Sequence, residues 1–472
     1  MNGTMNLFHS NVHRSIRHTA IYAWWMVFGL LTASPSVLAY DLWQAYQDAQ
    51  QNDPTYLSSM AQKEVYDAQK SQARAVILPT VMVTGGAYKT RKQFWHNQLP
   101  DTRTKPANFA ISLNQPIFAL DKLTGYKQMS VNAQIGELKL AQAKQDLITR
   151  VVQTYFSAWL AEHNMQVAKD VLTAAERQYQ MAQKNFEVGN TTVIDTHEAK
   201  TMWHNAQAAL INAQSNLDNA KADLESMVGR AISEPLAGIN APLKLKMPVP
   251  DTAERWVERA RELNYNVKIA QLGYQVADLE RTRMAQQRLP QISIVASRKW
   301  NTSNYREIND ERTATNTIGL ELSMPIFDGG LIGGQVREAE AKKTISAQSL
   351  RATQISVAQN TRVAYNQAVS GLATISALES AQAAAKKSAA SNLLGYQLGM
   401  RINVDVLNAQ NTYAQAQYNL AQAQYNTILG NVHLKSAVGN LTDEDVQYIN
   451  ALLNPTQSET SAQSNPREIE KK

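Results

Sequence analysis

Val188-Gly189-Asn190-Thr191-Thr192-Val193-Ile194-Asp195 is answered 210 positions later by Leu398-Gly399-Met400-Arg401-Ile402-Asn403-Val404-Asp405. Three more landmarks return at nearly the same spacing: Leu78-Pro79 as Leu289-Pro290, Pro116-Ile117-Phe118 as Pro325-Ile326-Phe327, and Val228-Gly229 as Val438-Gly439. Landmarks kept in order at a near-constant offset mean one structural unit used twice. Two long copies are too few for a solenoid of short stacked repeats. The unit is a duplicated building block.

Each copy reads as helix, hairpin, very long helix and returning helix. Asp41 to about Ile77 has a helical pattern, and Pro79 ends it because the residue before a proline is disfavoured in helix. In 108–115, Phe109, Ile111 and Leu113 face one way while Ala110, Ser112 and Asn114 face the other. In 315–324, Ile318, Leu320 and Leu322 oppose Thr317, Gly319, Glu321 and Ser323. This period-two pattern predicts strands with one apolar and one polar or small face. Their expected partners are 80–89 and 291–300, with loops over 90–107 and 301–314. A proline after each second strand is expected to end the pairing. Asp121 and Asp328 are then expected to cap the following helices.

Four strands with an apolar outer face would leave two bare edges. Pairing with further copies of the chain removes them, and the alternation is the weak signature of an outer-membrane barrel. The long helical runs, to about Glu187 and Leu398, predict rods of about 100 Å at ~1.5 Å per residue. In the returning helices Ala199, Ala206, Ala213 and Ala220 recur every seven residues, matched by Ala409, Ala416 and Ala423, with Gly430 in the next slot. Small residues at that spacing let helices approach closely; an Ala-rich solvent-facing helix is the plainer reading of either stretch alone. The returning helices and 41–77 and 251–287 are each about half a rod long, so two stacked end to end match one rod. The expected organisation is a first repeat over 40–228, a linker over 229–250, a second repeat over 251–438, a short helical segment over 439–453 and a polar, disordered tail over 454–472.

The termini and the composition narrow the function. Arg14 and Arg17 precede an apolar run from Ala20 to about Ala33, and Val37-Leu38-Ala39 offers small residues for cleavage, so 1–39 reads as a signal peptide. An uncleaved anchor is disfavoured because a span needs ~20 apolar residues. The 472 residues include no cysteine, which removes disulfides, thiolate metal sites and thiol nucleophiles. A net charge of +6 comes without a dense basic stripe interleaved with aromatics, so nucleic-acid binding has little support. Gly329-Gly330 and Gly333-Gly334 lack the Lys and Ser/Thr of a phosphate loop. His197 and His204 have no third ligand at metal spacing. No cofactor, metal site or catalytic constellation is expected, and the chain does not read as an enzyme.

Pro325-Ile326-Phe327-Asp328-Gly329-Gly330, the run Gly395-Tyr396-Gln397-Leu398-Gly399-Met400-Arg401-Ile402-Asn403-Val404-Asp405-Val406-Leu407-Asn408 and Ser436-Ala437-Val438-Gly439-Asn440-Leu441-Thr442 resemble the TolC-type outer membrane efflux proteins. With the duplicated plan, the resemblance covers 40–453. It implies an α+β fold in a homotrimer: four strands per protomer in a shared twelve-stranded outer-membrane β-barrel, and a long periplasmic α-helical barrel. It implies a Gram-negative outer-membrane exit duct for tripartite efflux or type I secretion. The implied partners are a periplasmic adaptor (membrane fusion) protein, an inner-membrane transporter of efflux or ABC type, and outer-membrane lipid. A non-conducting coiled-coil stalk or adhesin is the alternative.

The resemblance also implies site residues. The turns Val188-Gly189 and Leu398-Gly399 would form the periplasmic tip, where an adaptor docks. Asp195 would accept a hydrogen bond from Tyr396 and pair with Arg401, tying two hairpins in a releasable latch. Helix capping is the plainer role of Asp195, because Thr192-x-x-Asp195 fits a capping box. Asp405 matches the pore constriction, where three carboxylates around one axis would raise one another's pKa and attract cations. A second pore position, an aspartate in the family, is here Asn408. A neutral ring there implies weaker cation selectivity.

Overall fold

Asp53-Pro54 splits what reads as one helix. In the computed structural model, which describes residues 39–95, 102–189, 191–239, 243, 245–305 and 309–453, Asp53 ends α1 (Leu42–Asn52) and caps α2 (Pro54–Ala75). Its Oδ1 accepts from the Tyr56 N–H at 2.7 Å, and Pro54 fills the first helical position, where a missing N–H costs nothing. The second copy breaks at the equivalent place, Asn264, between α5 (Ala253–Leu263) and α6 (Tyr265–Gln286). The expected continuous helix over 41–77 is thus two helices. The signal peptide expected over 1–39 (save Ala39) and the tail expected over 454–472 lie outside the described residues.

The strands are β1 (Thr80–Ala87), β2 (Thr90–Lys92), β3 (Thr102–Thr104), β4 (Ala107–Phe118), β5 (Gln291–Tyr305) and β6 (Asn309–Ser323). β1, β4, β5 and β6 form one antiparallel sheet in that order, and β2 pairs with β3. Three expectations fail here. The stretch 90–107, read as a loop, holds the paired strands β2 and β3. The stretch 301–314, read as a loop, is largely strand, because β5 and β6 stay paired out to Tyr305 and Asn309. Pro116 does not end the pairing either. It sits opposite Ser293, with a register shift before Phe118. β1 begins at Thr80, opposite Asn114, so no strand on that side needs the N–H that Pro116 lacks.

The rods are α3 (Leu120–Glu187, 68 residues) and α7 (Leu331–Gln397, 67 residues). The returning helices are α4 (Val193–Val228) and α8 (Asn403–Val438), 36 residues each. Asp328 does act at its helix start: its carboxylate accepts from Gly330 N–H at 2.9 Å and Ile332 N–H at 2.7 Å. Those bonds hold it below the usual carboxylate range. Asp121 does not cap. α3 starts after Ala119 without a side-chain cap, and Asp121 simply lies in its first turn.

Each returning helix ends against the break in a half-length helix. Asn52 Nδ2 donates to Val228 O at 2.9 Å, and Asn264 Nδ2 donates to Ala437 O at 2.8 Å. Gly229 (φ 76°) and Gly439 (φ 79°) make those ends possible. At Gly439 a Cβ would also lie 2.7 Å from Leu263 O. Ala199 and Ala206 are buried and Ala213 and Ala220 half-buried, while a Cβ on Gly430 would stand 3.4 Å from the backbone of Ala368. The small-residue stripe therefore sets close helix approach.

Midway along the rods, polar groups knit an equatorial belt. Arg150 binds Asp53 through two hydrogen bonds, of 2.9 and 2.8 Å. Burial would raise the Asp53 pKa, but the bonds from Arg150 and the Tyr56 N–H outweigh it and hold the carboxyl low. The Tyr155 hydroxyl lies 2.9 Å from Tyr40 O and 3.0 Å from Ala237 O. α9 (Asp443–Leu453) closes the belt: Asp443 accepts from the Tyr46 hydroxyl at 2.7 Å and from Lys144 at 2.8 Å.

Candidate functional site: the helical tip

The first tip turn is closed on itself. Val188 N–H bonds Lys184 O, Gly189 N–H bonds Phe186 O, and Gly189 has φ 76°. Thr192 then caps α4. Its Oγ1 accepts from Asp195 N–H at 3.3 Å and donates to Asp195 Oδ2 at 2.8 Å. That same Oδ2 accepts from Thr191 Oγ1 at 2.5 Å and from Thr192 N–H at 3.0 Å. The Thr191 and Thr192 hydroxyls, then the Thr192 N–H, hold the Asp195 carboxyl below its usual range.

The second tip turn repeats the backbone without the cap. Gly399 has φ 73°, and Met400 and Arg401 N–H both bond Gly395 O. Ile402 stands where Thr192 stands, and an isoleucine offers no cap oxygen. Asp405, equivalent to Asp195, reaches Arg401 Nη1 at 3.6 Å. Both groups are solvent-accessible, so the pair is a weak one. Asn408 is exposed one turn further on.

Within one protomer, Asp195 meets neither Tyr396 nor Arg401. Its donors all come from its own turn, and Arg401 turns instead to the Asp405 carboxylate at the start of α8. Tyr396 meets the other hairpin through its hydroxyl, which accepts from Asn185 Nδ2 at 3.4 Å.

A tie between the hairpins lies where the sequence reading placed none. Gln178 of α3 and Asn403 of α8 are both buried, and Gln178 Nε2 donates to Asn403 Oδ1. Asn403 Nδ2 is buried without a partner. No pattern flags Gln178, which sits among other polar residues of a rod. Asn403 falls inside the run 395–408 but carries no charge to draw attention. Apolar side chains crowd the exposed surface around the turns: Val188 is 68% exposed, Ile194 63%, Leu398 62% and Met400 70%.

An open apolar-faced sheet at one end, two long rods that each turn back into a shorter helix, and two glycine turns at the far end define a channel subunit of the outer-membrane type. The family profile "Outer membrane efflux protein" matches twice, over residues 45–230 and 256–440, and the chain belongs to that family. It is 27% identical over 423 residues to the outer membrane protein TolC of Vibrio cholerae, covering 89% of this chain and 95% of that one. It is 26% identical over 435 residues to the alkaline protease secretion protein AprF of Pseudomonas aeruginosa, covering 89% of each. Its fold matches the outer membrane channel CmeC of Campylobacter jejuni with a TM-score of 0.76 at 15% identity, over 88% of this chain and 89% of that one. VceC of Vibrio cholerae matches with a TM-score of 0.72 at 18% identity, over 84% and 96%. The protein is an outer-membrane channel whose helices extend into the periplasm.

Proposed function

We propose that three copies close a common β-barrel and a common helical cylinder, forming the exit duct for a tripartite efflux or type I secretion machine. The sheet carries this reading. Its order leaves β1 and β6 as free edges, and its apolar face exposes Ile318 (82%), Leu320 (75%) and Leu322 (67%). Bare edges and a greasy face are tolerated only where further strands pair and lipid covers them. Joining β6 of one copy to β1 of the next satisfies both. Relatives named for protease secretion and for efflux support an export role.

At the far end, the tip would be the gate. Three Asp405 carboxylates would line the narrowest ring, with neutral Asn408 beside them. Each Arg401 would balance an Asp405 in the shut tip. The apolar turns at Val188-Gly189 and Leu398-Gly399 would receive a periplasmic adaptor, which links the duct to an inner-membrane transporter of efflux or ABC type. The stalk alternative requires no conduction.

Planar-bilayer recording on purified protein tests this. Expected are discrete low-conductance steps and a heat-dissociable trimer on a gel. A monomer without heating, or silent bilayers, overturns the duct. Cross-linking in cells through cysteines placed at Gly189 and Gly399 should capture the adaptor.

A further inference from the structure

Beyond its apolar rows, the outward face of the sheet turns basic. The register aligns Leu113, Ala296 and Ile318, then Ile111, Arg298 and Asn316, then Phe109, Trp300 and Ala314, then Ala107, Thr302 and Arg312. Alternate residues share a face. Arg298 and Arg312 therefore stand on the side that carries Ile318 and Leu320. The first hairpin adds to them. Tyr88 N–H bonds Pro106 O at 2.8 Å, so the β1–β4 ladder runs into β2–β3 without a slip. Arg91 and Arg103 are register partners there. The same alternation sets Lys89 and Lys105 between that pair and the Ala87–Ala107 pair. All six basic side chains are exposed. One acidic position, Asp310, follows in the row beyond Arg312.

Lys89 stands opposite Lys105, and like charges directly opposite one another weaken a strand pair, so the collar calls for an anion there. Its height says which. The Arg298 guanidinium lies 4.9 Å from the centre of the Trp300 ring, which in turn lies 5.3 Å from Phe109. Paired aromatics above an apolar band mark a membrane–water interface, and a long arginine stem lifts its charge toward that level. In an outer-membrane barrel, acyl chains would lie against the apolar rows below. The group one step higher is the headgroup of the same lipid.

We infer that this collar binds the phosphate groups of the outer-leaflet lipids that surround the barrel. The inference rests on the exit-duct reading, which places the sheet in the outer membrane. Lys89, Lys105, Arg298 and Arg312 are the residues that would carry it, with Trp300 fixing the height.

The test uses detergent-purified full-length protein and native mass spectrometry. Three probes are compared: a bisphosphorylated glucosamine-disaccharide lipid, its dephosphorylated form, and inorganic phosphate alone. Wild type should retain the phosphorylated lipid at least about tenfold better than the dephosphorylated one, given roughly fivefold per cation near a charged surface. Lys89→Gln/Lys105→Gln/Arg298→Gln/Arg312→Gln should lose most of that preference. Equal retention by wild type, or an undiminished preference in the variant, overturns the collar. So does inorganic phosphate that displaces the lipid at equal concentration, because the site is then a simple anion site. Should the fourfold variant not assemble, Lys89→Gln/Lys105→Gln lies outside the main sheet and should show a smaller loss of the same preference. Conductance of the same preparations reports the duct separately. Lipid preference without conduction would break the duct reading and leave the collar standing.

Discussion

At the equator Asp53 is buried and gripped by both arms of Arg150, while at the tip Asp405 reaches Arg401 only at 3.6 Å and in solvent. Around Asp53 the polar groups lock neighbouring elements together: Tyr155 to two backbone oxygens, Tyr46 and Lys144 to Asp443. At the tip, Asp195 Oδ2 takes three bonds, all from its own turn. Across the tip hairpins run a marginal Asn185–Tyr396 bond and the buried Gln178–Asn403 pair. The same repeated helices thus pass through a belt that is expensive to disturb and end in a region held by few bonds. For the proposed gate, that gradient would let the belt hold while the tip opens.

The comparison breaks most directly at the belt. Arg150→Ala leaves a buried carboxylate unpaired and should lower stability by about 2–3 kcal/mol, below the fully buried value because Arg150 is partly exposed. Denaturant unfolding measures it, and single-channel conductance should stay unchanged. The pH dependence has a definite sign. Asp53 has a folded-state pKa below its unfolded value, so its contribution is complete above the unfolded carboxyl range. It declines as pH falls through about 4 and is gone once the folded-state carboxyl protonates. Arg150→Ala should therefore flatten the acid limb of the stability curve.

Next in size is the buried pair at the tip. Gln178→Leu strands Asn403 and should cost about 2 kcal/mol. Gln178→Leu/Asn403→Leu removes both polar groups and should recover most of that. Protease cleavage at the tip follows the loss. If the double variant is as susceptible as the single one, the pair is not what joins the hairpins.

Smaller effects separate the two turns. Thr192→Ala should cost about 1 kcal/mol by removing a cap, whereas Ile402→Thr should add up to about 1 kcal/mol by supplying one. Hydrogen exchange at the start of α4 and α8 measures both. An equal response to Thr192→Ala and Ile402→Ala would erase the asymmetry between the turns. Least costly to stability is Asn408→Asp, within about 0.5 kcal/mol for an exposed site. Its effect is read in the channel: stronger cation selectivity and stronger block by multivalent cations. No change in either removes Asn408 from the pore lining.

The hairpins, rods and glycine turns were legible because each rests on local chemistry. Alternation sets strand faces, and Gly189 and Gly399 supply the positive φ of the tip turns. The capping role of Asp195 was readable for the same reason, since Thr192 lies three residues before it. Its supposed bond to Tyr396 was an expectation between hairpins, which no local pattern records; within one protomer the Tyr396 hydroxyl lies against Asn185 instead. The break at Asp53-Pro54 was present in the sequence as an Asx-Pro start signal inside a longer helical period. Asn264 gave less warning: its value lies in reaching Ala437, 173 positions away.

By itself the sequence determined the duplicated plan, the face each strand turns to lipid and the lengths of the rods, because periodicity and turn residues act within a few positions. The tertiary structure alone decided which polar groups meet: Gln178 with Asn403, Arg150 with Asp53, and a row of cations in register above an apolar band. Those depend on strand register and helix phase, where a shift of one residue exchanges every partner, and no local pattern records it.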